Sequence, residues 1–252
     1  MTPPKFSIII PTHNRADGRL QRALNSVLVQ QYRDFTAIIV DDASTDGTAA
    51  LFEPGASVYS LDGHFRYIRH EKRQGRVIAR NTGMSLVEDG ETYIAHLDSD
   101  DALDAMYLAT FAHAIEAEPA GRIFVCGVLV HGMGGTPDHR TCCAWSKIRP
   151  CWIPPVDANG LHSAHYTSGK IGTGMFVFRR DCLDVVGFLP PWRTHLEVAD
   201  GADEYLGYVT GYSSAAKWIG NPWGEDFVLS RKLSMYYLMH PIHAALYVQY
   251  VR

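Results

Sequence analysis

Residues 6–44 read FSIIIPTHNRADGRLQRALNSVLVQQYRDFTAIIVDDAS, and this stretch decides the fold class. The segment FSIIIPTHN begins with a continuous apolar run that Pro11 stops, and FTAIIVDDAS at 35–44 repeats the pattern with two aspartates. Continuous apolar runs of this length are typical of strands buried on both faces. The segment between them places four apolar residues on one helical face, namely Leu20, Leu24, Val27 and Leu28. The stretch therefore predicts a strand, a helix and a second strand.

The same alternation continues through the first half of the chain. Further strands are predicted at 65–71 and 92–98, and helices at 75–89 and 102–118. Apolar strands that alternate with amphipathic helices favour a mostly parallel sheet flanked by helices, which is the doubly wound α/β class.

The second half of the chain is less regular. Residues 132–170 are rich in Gly, Pro, His, Cys and Trp without periodicity, which indicates an irregular insertion such as a lid or an acceptor-facing loop. Regularity returns at 173–188 as a strand and a short helix, at 223–240 as a helix, and at 243–252 as a final strand.

Composition and charge exclude several classes of protein. The 252 residues are 46% hydrophobic and carry a formal net charge of -4, which is ordinary for a folded globular protein. No run of five like charges occurs, so we expect no nucleic acid partner. The start, MTPPKFSIII, is too short for a signal peptide, and no apolar stretch of about eighteen residues follows. We therefore expect no transmembrane segment and a cytoplasmic location, with peripheral membrane association left open.

Polar residues follow three of the predicted strands at their carboxyl ends. Ligands of doubly wound sheets bind beyond these ends. The candidates are Thr12, His13, Asn14 and Arg15 after the first strand, Asp41 and Asp42 after the second, and Asp98, Asp100 and Asp101 after the strand at 92–98.

The acids at 98–101 suggest a divalent metal. Asp98, Asp100 and Asp101 raise one another's pKa unless a cation holds them ionised. Hard oxygen ligands suit Mg²⁺ or Mn²⁺, and Mg²⁺ is usually held by one or two carboxylates together with substrate phosphates. The alternative, which also applies to Asp41 and Asp42, is that the acids cap the helices that follow. Neither a GxGxxG motif nor a P-loop motif occurs, so a nucleotide held by acids and a metal fits better.

Six segments, taken in order and spacing, resemble family-2 glycosyltransferases with the GT-A fold. They are SIIIPTHNR (7–15), QQYRDFTAIIVDDASTDGT (30–48), GRVIARNTGM (75–84), YIAHLDSDD (93–101), TGMFVFRRDCLDVVGF (173–188) and WGEDFVLSRKL (223–233). The resemblance implies a single GT-A domain with a Rossmann-like, mostly parallel sheet flanked by helices and an irregular acceptor-side region. It assigns nucleotide-sugar binding to residues 1–130 and acceptor binding to residues 131–252.

The resemblance also implies roles on the donor side. Residues that match the donor nucleotide site are Pro11, Thr12, Asn14, Arg15, Asp41, Asp42, Arg76, Arg80, Asp98 and Ser99. Within this set Asp42 matches the acid that meets the nucleobase. The triplet from Asp98 to Asp100 matches the DXD motif, which brings Mn²⁺ or Mg²⁺ to the donor diphosphate. Asp101 either shares the metal or caps the next helix.

On the acceptor side, Glu225 and Asp226 match an acidic pair near the acceptor, with Asp226 as the general base. A hydroxyl is a weak nucleophile near neutral pH, so a carboxylate within hydrogen-bond reach fits the chemistry. Without the resemblance, the start of a helix is the better interpretation of these two acids. The sugar and acceptor cavity matches Gly172, Thr173 and Gly174, with Trp223 beside it, although a buried turn explains the glycines as well.

These matches imply an inverting, metal-dependent hexosyltransferase that uses a nucleoside diphosphate sugar, with UDP favoured, and a saccharide or other hydroxyl acceptor. The QxxRW motif of processive relatives is absent, which favours a single transfer. Relatives often add a C-terminal histidine to the metal, for which His240 and His243 are the candidates. The alternatives are a sugar-phosphate nucleotidyltransferase and a non-catalytic nucleotide-binding protein that kept the fold.

Overall fold

The structure is a computed structural model, and the residues it describes are 2–88, 92–131, 173–189, 229–230, 233, 236–237 and 239–250. The predicted insertion at 132–170 lies outside these residues, as do Gly172, Trp223, Glu225 and Asp226.

The elements of the first half follow the predicted alternation. In chain order they are β1 (Lys5–Thr12), α1 (Arg19–Leu28), β2 (Phe35–Asp41), a 3₁₀ turn (Ala49–Phe52), α2 (Val58–Leu61), β3 (Phe65–Arg69), α3 (Arg76–Ser85), β4 (Thr92–His96), β5 (Ala102–Leu103), α4 (Tyr107–Ala117) and β6 (Ile123–His131). The described part of the second half contains a 3₁₀ turn (Thr173–Met175), β7 (Phe176–Arg179), α5 (Cys182–Val186) and β8 (Met239–Tyr250).

The described strands form one eight-stranded sheet in the order β3-β2-β1-β4-β7-β6-β8-β5. The strands β3, β2, β1 and β4 are parallel to one another, and β6 is parallel to β8. Antiparallel pairing enters where β7 lies between β4 and β6, and where β5 joins β8. The predicted α/β class with a mostly parallel sheet is confirmed, and the antiparallel strands belong to the less regular half.

The centre of the sheet shows why the apolar runs predicted strands. In β1, consecutive side chains from Phe6 to Thr12 are all buried, which requires cover on both faces of the sheet. Helix α3 supplies part of that cover and approaches β1 closely, since a Cβ added at Gly83 would overlap the side chain of Ile9. A glycine is thus needed at this crossing of helix and strand.

Two predicted boundaries are wrong. The helix predicted at 102–118 begins only at Tyr107, because the buried pair Ala102–Leu103 forms β5 against β8. The strand predicted at 243–252 begins earlier, at Met239, because β6 offers a parallel partner from Ile123 onwards. β8 thereby takes over the end of the helix predicted at 223–240, of which Leu229, Ser230, Leu233 and Tyr236 are helical.

Candidate active site

The sheet order brings the candidate residues to one edge. β1 lies between β2 and β4, and all three strands are parallel, so their carboxyl ends are neighbours. Thr12 at the end of β1 is in register with Asp41 at the end of β2. Asp98 follows β4 on the other side of β1. Side chains from three separate segments of the chain therefore share one site.

The loop after β1 is tied to the loop after β2 by its backbone. Asn14 has a left-handed φ of 52°, and its backbone N–H donates to Oγ of Ser44 at 2.9 Å. Its side-chain oxygen accepts from the N–H of Thr45 at 2.8 Å. The N–H of Arg15 donates to Oγ1 of Thr48 at 3.0 Å. These bonds fix the direction in which Arg15 leaves the backbone.

Asp41 is fully buried and organises the end of β2. One of its oxygens accepts from the N–H of Ser44 at 2.9 Å and from the Ser44 hydroxyl at 2.5 Å. The other accepts from the hydroxyl of Tyr67 at 2.5 Å. Burial, and then the Asp41 carboxylate, raise the pKa of Tyr67 well above its ordinary value. Both carboxylate oxygens of Asp41 therefore accept hydrogen bonds from the protein itself.

Asp42 holds the segment that leads into α3. Its Oδ1 accepts from Nδ1 of His70 at 2.9 Å and from the N–H of Gln74 at 2.8 Å, and its Oδ2 accepts from the N–H of Gly75 at 2.7 Å. Burial raises the pKa of Asp42, but these hydrogen bonds outweigh burial and hold the pKa below its usual value. Gly75, with a φ of 94°, is the residue before the first turn of α3. The contact of Asp42 with a nucleobase stays a prediction.

The segment 98–101, which we call the acid loop, carries two accessible carboxylates. The guanidinium of Arg80, fully buried on α3, donates to Oδ1 of Asp98 at 2.6 Å. The guanidinium of Arg15 lies 3.6 Å from Oδ2 of Asp100. The side chains of Asp98 and Asp100 remain 27% and 37% exposed. Each accessible carboxylate is thus paired with one arginine, while Ser99 between the two acids is buried.

Asp101 differs from its two neighbours because it faces β8. It is 4% exposed, and its oxygens accept from the hydroxyl of Tyr247 at 2.7 Å and the N–H of Tyr250 at 3.0 Å. Burial, followed by the charge of Asp98, raises the pKa of Asp101 to about 7. The alternative that Asp101 caps the next helix is wrong, because α4 begins after Met106 without a side-chain cap.

The acid loop offers two accessible carboxylates to a divalent cation. Among the residues that the structure describes, no group of three His, Cys, Asp or Glu side chains is arranged to hold a metal. Asp98 and Asp100 are nevertheless hard oxygen ligands at an accessible edge, and two carboxylates suffice for Mg²⁺ when substrate phosphates complete its coordination. The pair fits such an ion only in company with a phosphorylated ligand.

His240, one of the two candidates for a C-terminal metal ligand, does not lie beside the acid loop. This residue is in register with Phe124 near the amino end of β6, and the two rings stack at 5.1 Å. Burial lowers the pKa of His240. The side chain of His243 is outside the described residues.

Two of the predicted cavity residues, Thr173 and Gly174, lie within the described part of the chain. Gly174 lies in the 3₁₀ turn that begins at Thr173, and its carbonyl accepts from the hydroxyl of Tyr107 at 2.9 Å. A Cβ at Gly174 would overlap the ring of Tyr247, so glycine is needed there for close packing. The turn predicted to line the acceptor cavity is thereby packed against Tyr247 of β8, the strand that contacts the acid loop.

Four residues at the site were missed by sequence reasoning. Arg22 of α1 donates to the carbonyl of Asp100 at 2.5 Å, and His70 and Tyr247 bind acids as described above. His96 at the end of β4 is fully buried, and neither ring nitrogen has a hydrogen-bond partner among the described residues. Burial and then Arg80 hold the pKa of His96 well below its ordinary value. Of these four residues, only His70 and His96 could have been identified from the sequence, because each is a polar residue near the end of a predicted strand.

In doubly wound α/β proteins, ligands bind in the crevice beyond the carboxyl ends of the strands, which is where these carboxylates and arginines lie. Residues 7–187 match the model of the family described as "Glycosyl transferase family 2", which is more than half of the chain. The chain belongs to this family, and it has the GT-A fold that its sequence predicts.

Relatives and solved structures agree with this assignment. An uncharacterized glycosyltransferase of Rickettsia felis is 40% identical over 97 residues, covering 38% of this chain and 15% of that protein. Glycosyltransferase GlyA of Streptococcus pneumoniae is 29% identical over 106 residues, covering 42% of this chain and 14% of that protein. The structure of S. aureus TarS 1-349 in complex with UDP-GlcNAc superimposes with a TM-score of 0.62 at 18% identity, covering 98% of this chain and 59% of that chain.

The chain is much shorter than these relatives, since it spans 15% or less of the two curated proteins. Within the described residues, no helix is long and apolar enough to cross a membrane.

Proposed function

We propose that this chain transfers a sugar from a UDP-sugar to a hydroxyl acceptor, with inversion at the anomeric carbon and with Mn²⁺ or Mg²⁺ at the acid loop. The observation that carries the proposal is that two accessible carboxylates, Asp98 and Asp100, are each paired with an arginine, Arg80 and Arg15, at the carboxyl edge of the sheet. The TarS structures in complex with UDP and with UDP-GlcNAc support the choice of nucleotide.

The proposed chemistry is a single displacement. The acceptor oxygen forms a bond to the anomeric carbon while the bond from that carbon to the diphosphate oxygen breaks, and its electron pair leaves with UDP. Asp226 is proposed to take the acceptor proton, with Glu225 beside it. Asp98 and Asp100 would hold the metal ion, and its positive charge would be available to neutralise charge that grows on the leaving group.

The arginines of the site have a related role in the proposal. Arg80 is buried and Arg15 is held by the loop after β1, so both charges are positioned before a ligand arrives. Charges fixed in advance stabilise a developing anion without the cost of reorganisation. Asp42 contributes indirectly, because it fixes the turn at Gly75 from which α3 presents Arg76 and Arg80.

The test is a screen of donor turnover. We expect release of UDP from at least one UDP-sugar in the presence of Mn²⁺, and loss of that release after chelation. Asp226→Asn should lower kcat by at least about a hundredfold at similar donor KM, in the range of general acid–base contributions. A folded protein that turns over no nucleotide-sugar would favour the non-catalytic alternative, and release of pyrophosphate in place of UDP would indicate a nucleotidyltransferase.

A further inference from the structure

A tyrosine outside the predicted site connects the C-terminal strand to the acid loop. The hydroxyl of Tyr247 donates to Oδ2 of Asp101 at 2.7 Å and accepts from the backbone N–H of Asp98 at 3.3 Å. One oxygen atom therefore bridges the first and the last acid of the loop. The N–H of Asp101 also donates to the carbonyl of Asp98 at 3.0 Å, which closes the loop as a turn.

Neighbouring contacts along β8 hold the same loop. The N–H of Tyr250 donates to Oδ1 of Asp101 at 3.0 Å, so both oxygens of this carboxylate are bound by β8. Directly after the loop, Leu103 is in register with Tyr247, and the N–H of Asp104 donates to the carbonyl of Leu246 at 2.8 Å. The acid loop thus has one fixed side, formed by the backbone and side chains of β8.

The other side of the loop is held by α1. The guanidinium of Arg22 donates to the carbonyl of Asp100 at 2.5 Å and lies 3.7 Å from the ring centroid of Tyr250. The ring of Tyr247 is itself enclosed, since it is 4% exposed and packs against Gly174. Replacing the Tyr247 hydroxyl therefore changes hydrogen bonding to the acid loop without opening a large cavity.

We propose that Tyr247 is a positioning residue for donor binding. By holding the backbone at Asp98 and the carboxylate of Asp101, its hydroxyl directs the side chains of Asp98 and Asp100 towards the diphosphate and its cation. This inference rests on the proposed function. A loop that is ordered before binding does not lose conformational entropy when the ligand arrives, so its affinity is higher than that of a mobile loop.

The variant that tests the proposal is Tyr247→Phe, which keeps the ring and removes the hydroxyl. The matched control is Tyr93→Phe, because Tyr93 is also buried and its hydroxyl donates to the carbonyl of Gly121 at 3.1 Å, away from the acid loop. Hydrogen exchange is measured first, without any ligand. We expect faster exchange in peptides covering residues 97–104 of Tyr247→Phe and no change there in Tyr93→Phe. Unchanged exchange in both variants would overturn the proposal.

The second measurement is calorimetric titration of UDP in the presence of Mn²⁺. We expect Kd to rise about tenfold or more in Tyr247→Phe, as for a lost hydrogen bond to a charged group, while Tyr93→Phe binds like the parent. With an active donor, KM for that donor should rise more than kcat falls. Equal UDP affinity in Tyr247→Phe and the parent would refute the positioning role. A parent protein that does not bind UDP with Mn²⁺ would instead refute the proposed donor, and this inference with it.

Discussion

At Asp42, three hydrogen-bond donors converge on one buried carboxylate, namely an imidazole and two backbone amides. The two amides belong to consecutive residues, Gln74 and Gly75. The Asp42 carboxylate accepts the hydrogen bonds that a backbone carbonyl would accept in a helix or strand. The second nitrogen of His70 lies 3.0 Å from the hydroxyl of Thr82 on α3. A residue selected from the sequence as a ligand-binding acid thus also determines where a helix begins.

The substitution Asp42→Asn should therefore destabilise the fold. The amide of asparagine would place an N–H₂ group against neighbours that donate to Asp42, so at least one donor would lose its acceptor. We expect a loss of about 2 kcal/mol in the free energy of unfolding at pH 7. The folded pKa of Asp42 is lowered, so its contribution is fully present above the unfolded value of about 3.9 and is lost as pH falls below it. In urea titrations, the difference in the free energy of unfolding between parent and variant should become smaller below about pH 4. Asp34→Asn, at an exposed position, serves as the control. A difference in the free energy of unfolding that does not depend on pH would contradict the stabilising role of the Asp42 carboxylate.

At the scale of elements, the crossing of α3 and β1 depends on a glycine. A methyl group at Gly83 would overlap Ile9, which is fully buried in the middle of the sheet. Helix propensity alone would favour alanine over glycine by about 1 kcal/mol, whereas overpacking a core costs about 1–3 kcal/mol. We expect Gly83→Ala to lower the free energy of unfolding by about 1 kcal/mol in urea titrations. Ser85→Ala, exposed on the same helix, is the control, and a stabilised Gly83→Ala would show that the two elements move apart without cost.

Local patterns make the first elements of the chain predictable. β1, α1 and β2 were predicted closely because two-sided burial produces continuous apolar runs and one-sided burial produces a helical stripe. The pair Ala102–Leu103 was assigned to a helix because its partner strand lies almost 150 residues later in the chain. The same distance concealed the environment of the Asp101 side chain, whose two oxygens accept hydrogen bonds from Tyr247 and Tyr250 of that strand. Pairing between distant segments leaves no local periodicity to detect.

At the scale of the whole molecule, the parallel half of the sheet makes the site predictable. Three strands that run in one direction place Thr12, Asp41 and Asp98 at one edge, although they are separated by up to 86 positions in the chain. The less regular half could not be derived in this way, since β7 and β5 insert with antiparallel pairing. The gathering of these residues at one edge follows from general rules of α/β sheets, whereas the attachment of β8 could be learned only from the structure.

Binding of UDP with a divalent ion at this edge should stabilise the entire fold. At a free UDP concentration a hundred times Kd, the gain is about 2.7 kcal/mol, and a chain of this length should then unfold roughly 5–10 °C higher. We expect this rise in Tm with UDP plus Mn²⁺ and a much smaller one with UDP alone. Asp98→Asn should lose most of the rise, because it removes one of the two accessible carboxylates of the acid loop. Glu88→Gln is the control, because it removes the same charge from an exposed side chain that pairs with Lys5, the first residue of β1. This variant should keep the rise in Tm. Equal shifts in both variants would place the metal away from the acid loop.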